Sequence, residues 1–176
     1  AEMITLYPSS KADFSSPEEH LMSLRRAKES VAIPVIASLN AINNETWVEY
    51  AKKIEGTGVD GIELNFYTVP EKFNEEAEEI EKRQIRALID VKAAISIPVS
   101  VKLSPFYSNP LKLISDMDKA GANGFVLFNR LFQPDIDIHT EKHLFPYNLS
   151  TAEDKKLPLR FAGLLYGNTK ASICSS

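Results

Sequence analysis

The feature that most constrains this chain is an internal repeat. Gly61-Ile62-Glu63-Leu64-Asn65 is a short apolar run that starts on a glycine and stops on an asparagine. Gly124-Phe125-Val126-Leu127-Phe128-Asn129 does the same 63 residues later. A second pair interleaves with the first: Ala27-Lys28 leads into Ile33-Pro34-Val35, and 64 residues on, Val91-Lys92 leads into Ile97-Pro98-Val99. One unit is used twice, each copy holding two strand-plus-helix modules, and repetition at such a period is an architectural signal.

The local patterns fill in the modules. Residues 1–16 show no period and read as an extended lead-in, with 17–176 forming the folded domain. Ser16-Pro17-Glu18-Glu19 predicts a helix running to about Ser30, with serine as N-cap, proline in the first turn and acids near the positive end of the helix dipole. Its expected buried stripe is Leu21, Leu24 and Ala27. Asn43 or Asn44 caps a second helix carrying Trp47, Val48, Tyr50, Ala51 and Ile54. Asn74 opens the longest, to about Ala94, with Ala77, Ile80, Ile85, Leu88, Ile89 and Ala93 as its apolar face and Glu75, Glu76, Glu78, Glu79 and Glu81 on a solvated face. Further helices are expected over 110–120 and 157–166. Strands are expected near 33–39, 61–66, 97–103, 124–129 and 171–175, apolar enough for a parallel sheet covered on both sides. Residues 130–152 form a long excursion, in which 133–139 alternates like a short strand. Connections of that length in compact domains usually carry function, and Phe132, Ile136, Leu144, Phe145 and Tyr147 make this one a candidate lid or subunit contact over the mouth.

Strands alternating with helices mean an α/β fold. A doubly wound sheet would place a glycine-rich loop after its first strand, and Ser38-Leu39-Asn40-Ala41 has no glycine. A TIM (β/α)8 barrel instead gathers polar residues at the carboxyl ends of its strands, and here those ends carry Ser38, Asn40, Asn65, Lys102, Asn129 and Arg130. About five βα units are visible where eight are needed, so the reading is a barrel that is incomplete in this chain.

Composition narrows the function classes. Among 176 residues, 44% are hydrophobic and 25% charged, and a net charge of −4 with scattered basic residues gives no nucleic-acid surface. The single cysteine, Cys174, excludes an internal disulfide and a CxxC metal site. It reads as a small core residue in a reducing, cytoplasmic compartment. No apolar run is long enough for a transmembrane helix, and no metal site is expected. The anticipated partner is a small-molecule substrate, with a homodimer possible.

Glu63-Leu64-Asn65, Pro98-Val99-Ser100-Val101-Lys102-Leu103-Ser104-Pro105 and Val126-Leu127-Phe128-Asn129-Arg130, together with Ile33-Pro34-Val35-Ile36-Ala37-Ser38, resemble the dihydroorotate dehydrogenase family, over most of residues 17–176. Members are FMN-dependent barrel flavoproteins of pyrimidine metabolism, and Phe128-Asn129-Arg130-Leu131-Phe132-Gln133-Pro134-Asp135 points to a dihydroorotate dehydrogenase-like branch. The resemblance implies hydride transfer from a dihydropyrimidine-like substrate to flavin. It puts Lys102 at the flavin N1/O2 edge, where a fixed cation offsets developing negative charge. Asn65 and Asn129 match asparagines that bind flavin or substrate, and Ser38 matches a position near the flavin.

One departure stands out. The family follows Glu-Leu-Asn with Ser-Cys-Pro-Asn, whose cysteine (serine in another class) removes the substrate proton. Here the loop reads Phe66-Tyr67-Thr68-Val69-Pro70, which puts Thr68 at the base position with Tyr67 beside it. A threonine hydroxyl does not ionise near neutral pH without a neighbouring base, so dihydroorotate itself is expected to be a poor substrate. The family's phosphate-binding glycine loops would begin where Ser175-Ser176 stand, so this stretch is expected to carry the flavin-facing residues without that clamp and to bind FMN weakly alone. Two other readings stay open: a flavin-free barrel lyase or aldolase with Lys102 as Schiff-base amine, and a non-catalytic descendant of the family.

Overall fold

The structure is a computed structural model that describes residues 17–41, 43–68, 73–130, 135–144 and 150–176. In chain order the elements are α1 (Pro17–Ser30), β1 (Ile36–Leu39), α2 (Asn44–Glu55), β2 (Gly61–Asn65), α3 (Ala77–Ala94), β3 (Val99–Leu103), α4 (Pro110–Lys119), β4 (Gly124–Leu127), β5 (Asp135–Asp137), β6 (Lys142–Leu144), α5 (Lys156–Leu165) and β7 (Ser172–Ser175). The expected lead-in over 1–16 lies outside the described residues.

Five strands form one parallel sheet in the order β1-β2-β3-β4-β7, with every pair parallel. Sequential order with right-handed crossovers puts all the connecting helices on one side. This is an arc of a (β/α)8 barrel rather than a doubly wound sheet, in agreement with the reading of the strand ends. The residues facing the helices form the core: Ala37 and Leu39, Ile62 and Leu64, Val99, Val101 and Leu103, and Phe125 and Leu127 are all buried. They meet Trp47, Ala51 and Ile54 of α2, Ala87, Leu88 and Val91 of α3, and Leu113, Ile114 and Met117 of α4. Trp47 packs edge-on against Phe66 with ring centroids 5.2 Å apart.

The repeat recurs as a set of side-chain holds at the amino-terminal rim. Asp60, just before β2, accepts the Val35 N–H at the entrance of β1 (2.7 Å) and pairs with Lys28 Nζ at 2.7 Å. Asn123, just before β4, accepts the Val99 N–H at the entrance of β3 (2.9 Å) and Lys92 Nζ at 2.8 Å. Glu55 at the end of α2 accepts the Ser96 N–H (2.7 Å), and Asp118 in α4 accepts the Ala171 N–H (2.9 Å). The entrances of β1, β3 and β7 are thus pinned by neighbouring modules. Of the glycines that start the echoing strands, Gly61 meets the tighter packing. A Cβ on Gly61 would lie 3.3 Å from the Pro98 carbonyl oxygen, and one on Gly124 would lie 3.4 Å from Ser100 Cβ.

Several expectations are corrected. All five strands are shorter than read, and β1 starts at Ile36 because Ile33-Pro34 makes no ladder. Coverage on both sides holds only for the helix-facing residues: Ile36 on the other face is 62% exposed. Ala27 is exposed, so α1 packs through Leu21 and Leu24 alone. The longest helix begins at Ala77 rather than Asn74, with no side-chain cap. Its buried stripe is Gln84, Ala87, Leu88 and Val91, leaving Ile89 outside. A polar residue occupies a core-facing position there, which hydrophobic periodicity cannot reveal. The glutamates of the acidic face pair locally, Glu75 with Arg83 and both Glu78 and Glu79 with Lys82.

The excursion leaves the carboxyl end of β4 and returns at the start of α5, on the same rim. Its described part is an antiparallel hairpin, β5 with β6, and its neck is closed by Arg130, whose guanidinium bonds Ser150 Oγ at 2.8 Å and lies 3.6 Å from Asp154. Phe132, Phe145 and Tyr147 lie outside the described residues.

Lys28 and the Val35 N–H hold the Asp60 carboxyl below its ordinary value near 3.8. A lowered folded-state value means stability that is present above that ordinary value and lost as the pH falls through the lowered one. Asp60→Asn keeps an acceptor for Val35 and removes the ion pair, as at Asn123. The variant should unfold at lower urea concentration than wild type at pH 7, and the two midpoints should converge as pH drops below about 4.

Candidate functional site

Strand alternation decides which side chains face the concave side of the sheet. Two rows result. One comprises Ser38, Glu63, Ser100, Gly124 and Ser172, which are register partners in turn; the next comprises Asn65, Lys102, Val126 and Cys174. All of these except Asn65 line a concavity of about 610 Å3, within the size range of small-molecule sites. A larger groove of about 780 Å3 between α2 and α3, lined by Asn44, Val48, Lys52 and Asp90, lies on the outer helical surface. None of the sequence-predicted residues reaches it, so the concave face is the candidate site.

Three predicted residues converge at the carboxyl rim. Asn65 and Lys102 are direct register partners across β2 and β3. Asn129, 9% exposed, reaches over the end of β3 to donate its Nδ2 to Asn65 Oδ1 at 2.6 Å, with a longer contact of 3.4 Å to the Phe66 carbonyl. Backbone pairing carried past the strand ends positions them: Phe66 N–H donates to Lys102 O (3.0 Å) and Asn129 N–H to Leu103 O (2.7 Å). The bond between the two amides fixes their orientation. Asn65 is left with its NH2 and Asn129 with its carbonyl, a donor and an acceptor without protein partners among the described residues, at the carboxyl rim.

The Lys102 ammonium bonds Ser176 Oγ at 3.1 Å. It has no carboxylate within ion-pairing distance among the described residues, so its charge is directed to the concavity. Ser38 lies apart from this group, on the edge strand and one row below, donating to Glu63 Oε1 at 2.9 Å. Thr68 is exposed on the loop after β2, and its Oγ1 accepts from Gln84 Nε2 at 3.2 Å. Tyr67 is half-buried beside it. Cys174 is corrected: it is exposed on the concave face opposite Val126, because β7 is an edge strand of this sheet.

Four polar residues of the site went unread in the sequence. Glu63 was legible in principle, since it stands two residues before Asn65 and so on the same face. Gln84, Tyr107 and Ser176 carried no local signal, since they enter through contacts across 16 or more residues.

No family model matches the chain. Dihydroorotate dehydrogenase A (fumarate) of Limosilactobacillus reuteri is 32% identical over 113 residues, which are 62% of this chain and 37% of that protein. The catalytic subunit of dihydroorotate dehydrogenase B (NAD(+)) of Anoxybacillus flavithermus is 32% identical over 123 residues, 62% of this chain and 36% of the relative. By sequence, the chain resembles dihydroorotate dehydrogenases. The match spans well under half the length of these dihydroorotate dehydrogenases. Among solved structures, a putative dihydrodipicolinate synthase family protein from Coccidioides immitis superposes with a TM-score of 0.57 at 15% identity, over 97% of this chain and 47% of that one. At that identity the likeness shows the barrel fold alone. No helix among the described residues is long and apolar enough to cross a membrane.

Asn129→Ala removes a buried donor and leaves Asn65 Oδ1 without its partner. The expected loss is about 1–3 kcal/mol of folding stability, read as a lower urea midpoint. Asn129→Asp should cost less than Asn129→Ala, because the Asn65 amide can turn its unpartnered NH2 toward the new carboxylate.

Proposed function

We propose that this protein is an FMN-dependent oxidoreductase similar to dihydroorotate dehydrogenase, taking hydride from a dihydropyrimidine-like substrate in the cytoplasm and acting poorly on dihydroorotate itself. The observation that carries the reading is the convergence of Asn65, Lys102 and Asn129 at adjacent strand ends, three of the four flavin- or substrate-facing residues that the resemblance to that family singles out. The donor set fits the group. Lys102, on the wall of the concavity of about 610 Å3, offers a cation bonded among the described residues only to a neutral hydroxyl, and the asparagine pair at the adjacent strand ends offers one donor and one acceptor.

FMN, when bound, supplies the hydride acceptor. Lys102 then places positive charge where the flavin N1/O2 edge is expected, and Ser176 keeps the ammonium on the concave face. The amide pair matches a ring edge that alternates carbonyl and N–H, as in a dihydropyrimidine, so it orients such a ring without any charge. Thr68 stands at the position of the base, but its oxygen faces an amide donor and not a group that takes its proton. That arrangement supports slow proton removal from dihydroorotate. The hairpin β5–β6, leaving and returning on the same rim, supports a role as lid or subunit contact.

A second reading draws on the same lysine. A lysine without a carboxylate partner among the described residues is suited to Schiff-base chemistry, in which the neutral amine adds to a substrate carbonyl and water leaves. Borohydride trapping of a carbonyl substrate on Lys102 would single it out.

The absorption spectrum of the purified protein, with its ligand released and identified, tests the first reading: a colourless, flavin-free protein would sink it. Lys102→Ala should lower FMN affinity by about tenfold or more, the cost of a lost charge-assisted contact, and move the flavin midpoint potential downward. Thr68→Cys should speed anaerobic flavin reduction by dihydroorotate, within the roughly 10²–10⁴-fold that acid–base catalysis contributes. Rapid reduction of wild type would show that Thr68, Tyr67 or a water already serves as base.

A further inference from the structure

The carboxyl rim contains a polar chain centred on a buried glutamine, whose members beyond Thr68 the proposed reaction does not use. Gln84, in the second turn of α3, is only 5% exposed. Its Oε1 accepts the phenol O–H of Tyr107, on the β3–α4 connection, at 2.8 Å. Its Nε2 donates to Thr68 Oγ1, three residues beyond Asn65, at 3.2 Å. The direction of this chain follows from the phenol. Burial pushes the Tyr107 hydroxyl up to about 12, so it stays protonated, and a buried O–H has to find an acceptor. It takes Oε1 of Gln84, which turns Nε2 toward Thr68.

That order limits what Thr68 can do. A hydroxyl has one proton and two lone pairs. One lone pair faces an amide N–H that cannot receive a proton, so nothing in this chain draws the proton off the threonine oxygen. The proton is free to point away from α3. The geometry points to Gln84 and Tyr107 as positioning residues that make Thr68 a hydrogen-bond donor to a carbonyl or carboxylate oxygen of the substrate. This inference rests on the proposed function for the placement of substrate beside the β2–α3 loop. It adds that the loop selects a ligand with an acceptor at that point. The same three residues join the rim loops after β2 and β3 to one helix, so the donor is held by two elements and not by its own loop alone.

Two measurements test this, and they separate the geometry from the ligand. In the purified protein without added ligand, the Gln84 side-chain NH2 resonances should shift and exchange faster with solvent in Thr68→Val, which keeps the shape and removes the oxygen. Tyr107→Phe should do the same by freeing the amide to turn. Unchanged Gln84 signals in a folded Thr68→Val protein overturn the chain. For the ligand, orotate binding to the FMN-loaded protein is followed through the flavin spectrum. Thr68→Val should weaken it about tenfold, the scale of one buried hydrogen bond. Gln84→Glu, which replaces the donor with an acceptor and draws the Thr68 proton back to α3, should weaken it similarly although Thr68 is intact. The double variant should lose no more than either single one. Orotate affinity that is unchanged in a folded Gln84→Glu protein, or losses that add in the double variant, overturn the donor role. If wild type carries FMN but binds no orotate, the donor role toward such a substrate is also overturned, while the amide signals still decide the Gln84–Thr68 geometry. If wild type carries no FMN, it is the proposed function that has failed.

Discussion

The holds at the amino-terminal rim are the interactions on which the rest of the sheet depends. A parallel strand has no hairpin turn to set its register, so something else must decide where each strand begins. Here a side chain from a neighbouring module accepts the N–H at a strand entrance: Asp60 for β1, Glu55 and Asn123 for β3, and Asp118 for β7. Once the entrances are fixed, strands of four or five residues bring their carboxyl ends to matching heights. Asn65 then falls opposite Lys102, and Asn129 comes within hydrogen-bond reach of Asn65.

Such an arrangement divides the labour between the two faces of the sheet. The helix side holds the apolar residues and supplies the stability. The concave side carries a serine, glutamate, lysine and asparagine in the same strands, because alternate residues face opposite ways. Chemistry can therefore vary at the strand ends without disturbing the packing a few ångströms away. That separation explains how a chain can keep Asn65, Lys102 and Asn129 while the loop just beyond Asn65 departs from the dihydroorotate dehydrogenase pattern at Thr68.

The charges of the site are sparse and specific. Lys102 has a neutral hydroxyl as its partner, and the neighbouring amides contribute dipoles without net charge. An arrangement of this kind favours negative over positive charge nearby, because no carboxylate among the described residues lies within ion-pairing distance of the ammonium. Glu63, one row lower, is occupied by the Ser38 hydroxyl.

The repeat and the strand order were legible in the sequence, because the same residues return at the same step. Lys28 with Asp60 and Lys92 with Asn123 make equivalent contacts in the two copies. The strand-end residues could also be read, since apolar runs that stop on Asn65, Lys102 and Asn129 place polar groups where a barrel has its mouth. What the tertiary structure alone decided came from contacts between residues far apart in the chain. No local pattern announces that Gln84 turns inward to meet Tyr107 and Thr68, that Ile89 is left outside the core, or that Cys174 lies on the open face. Those outcomes follow from how the sheet curves and which helix face it meets. Periodicity records which residues share a face; it does not record what that face will touch.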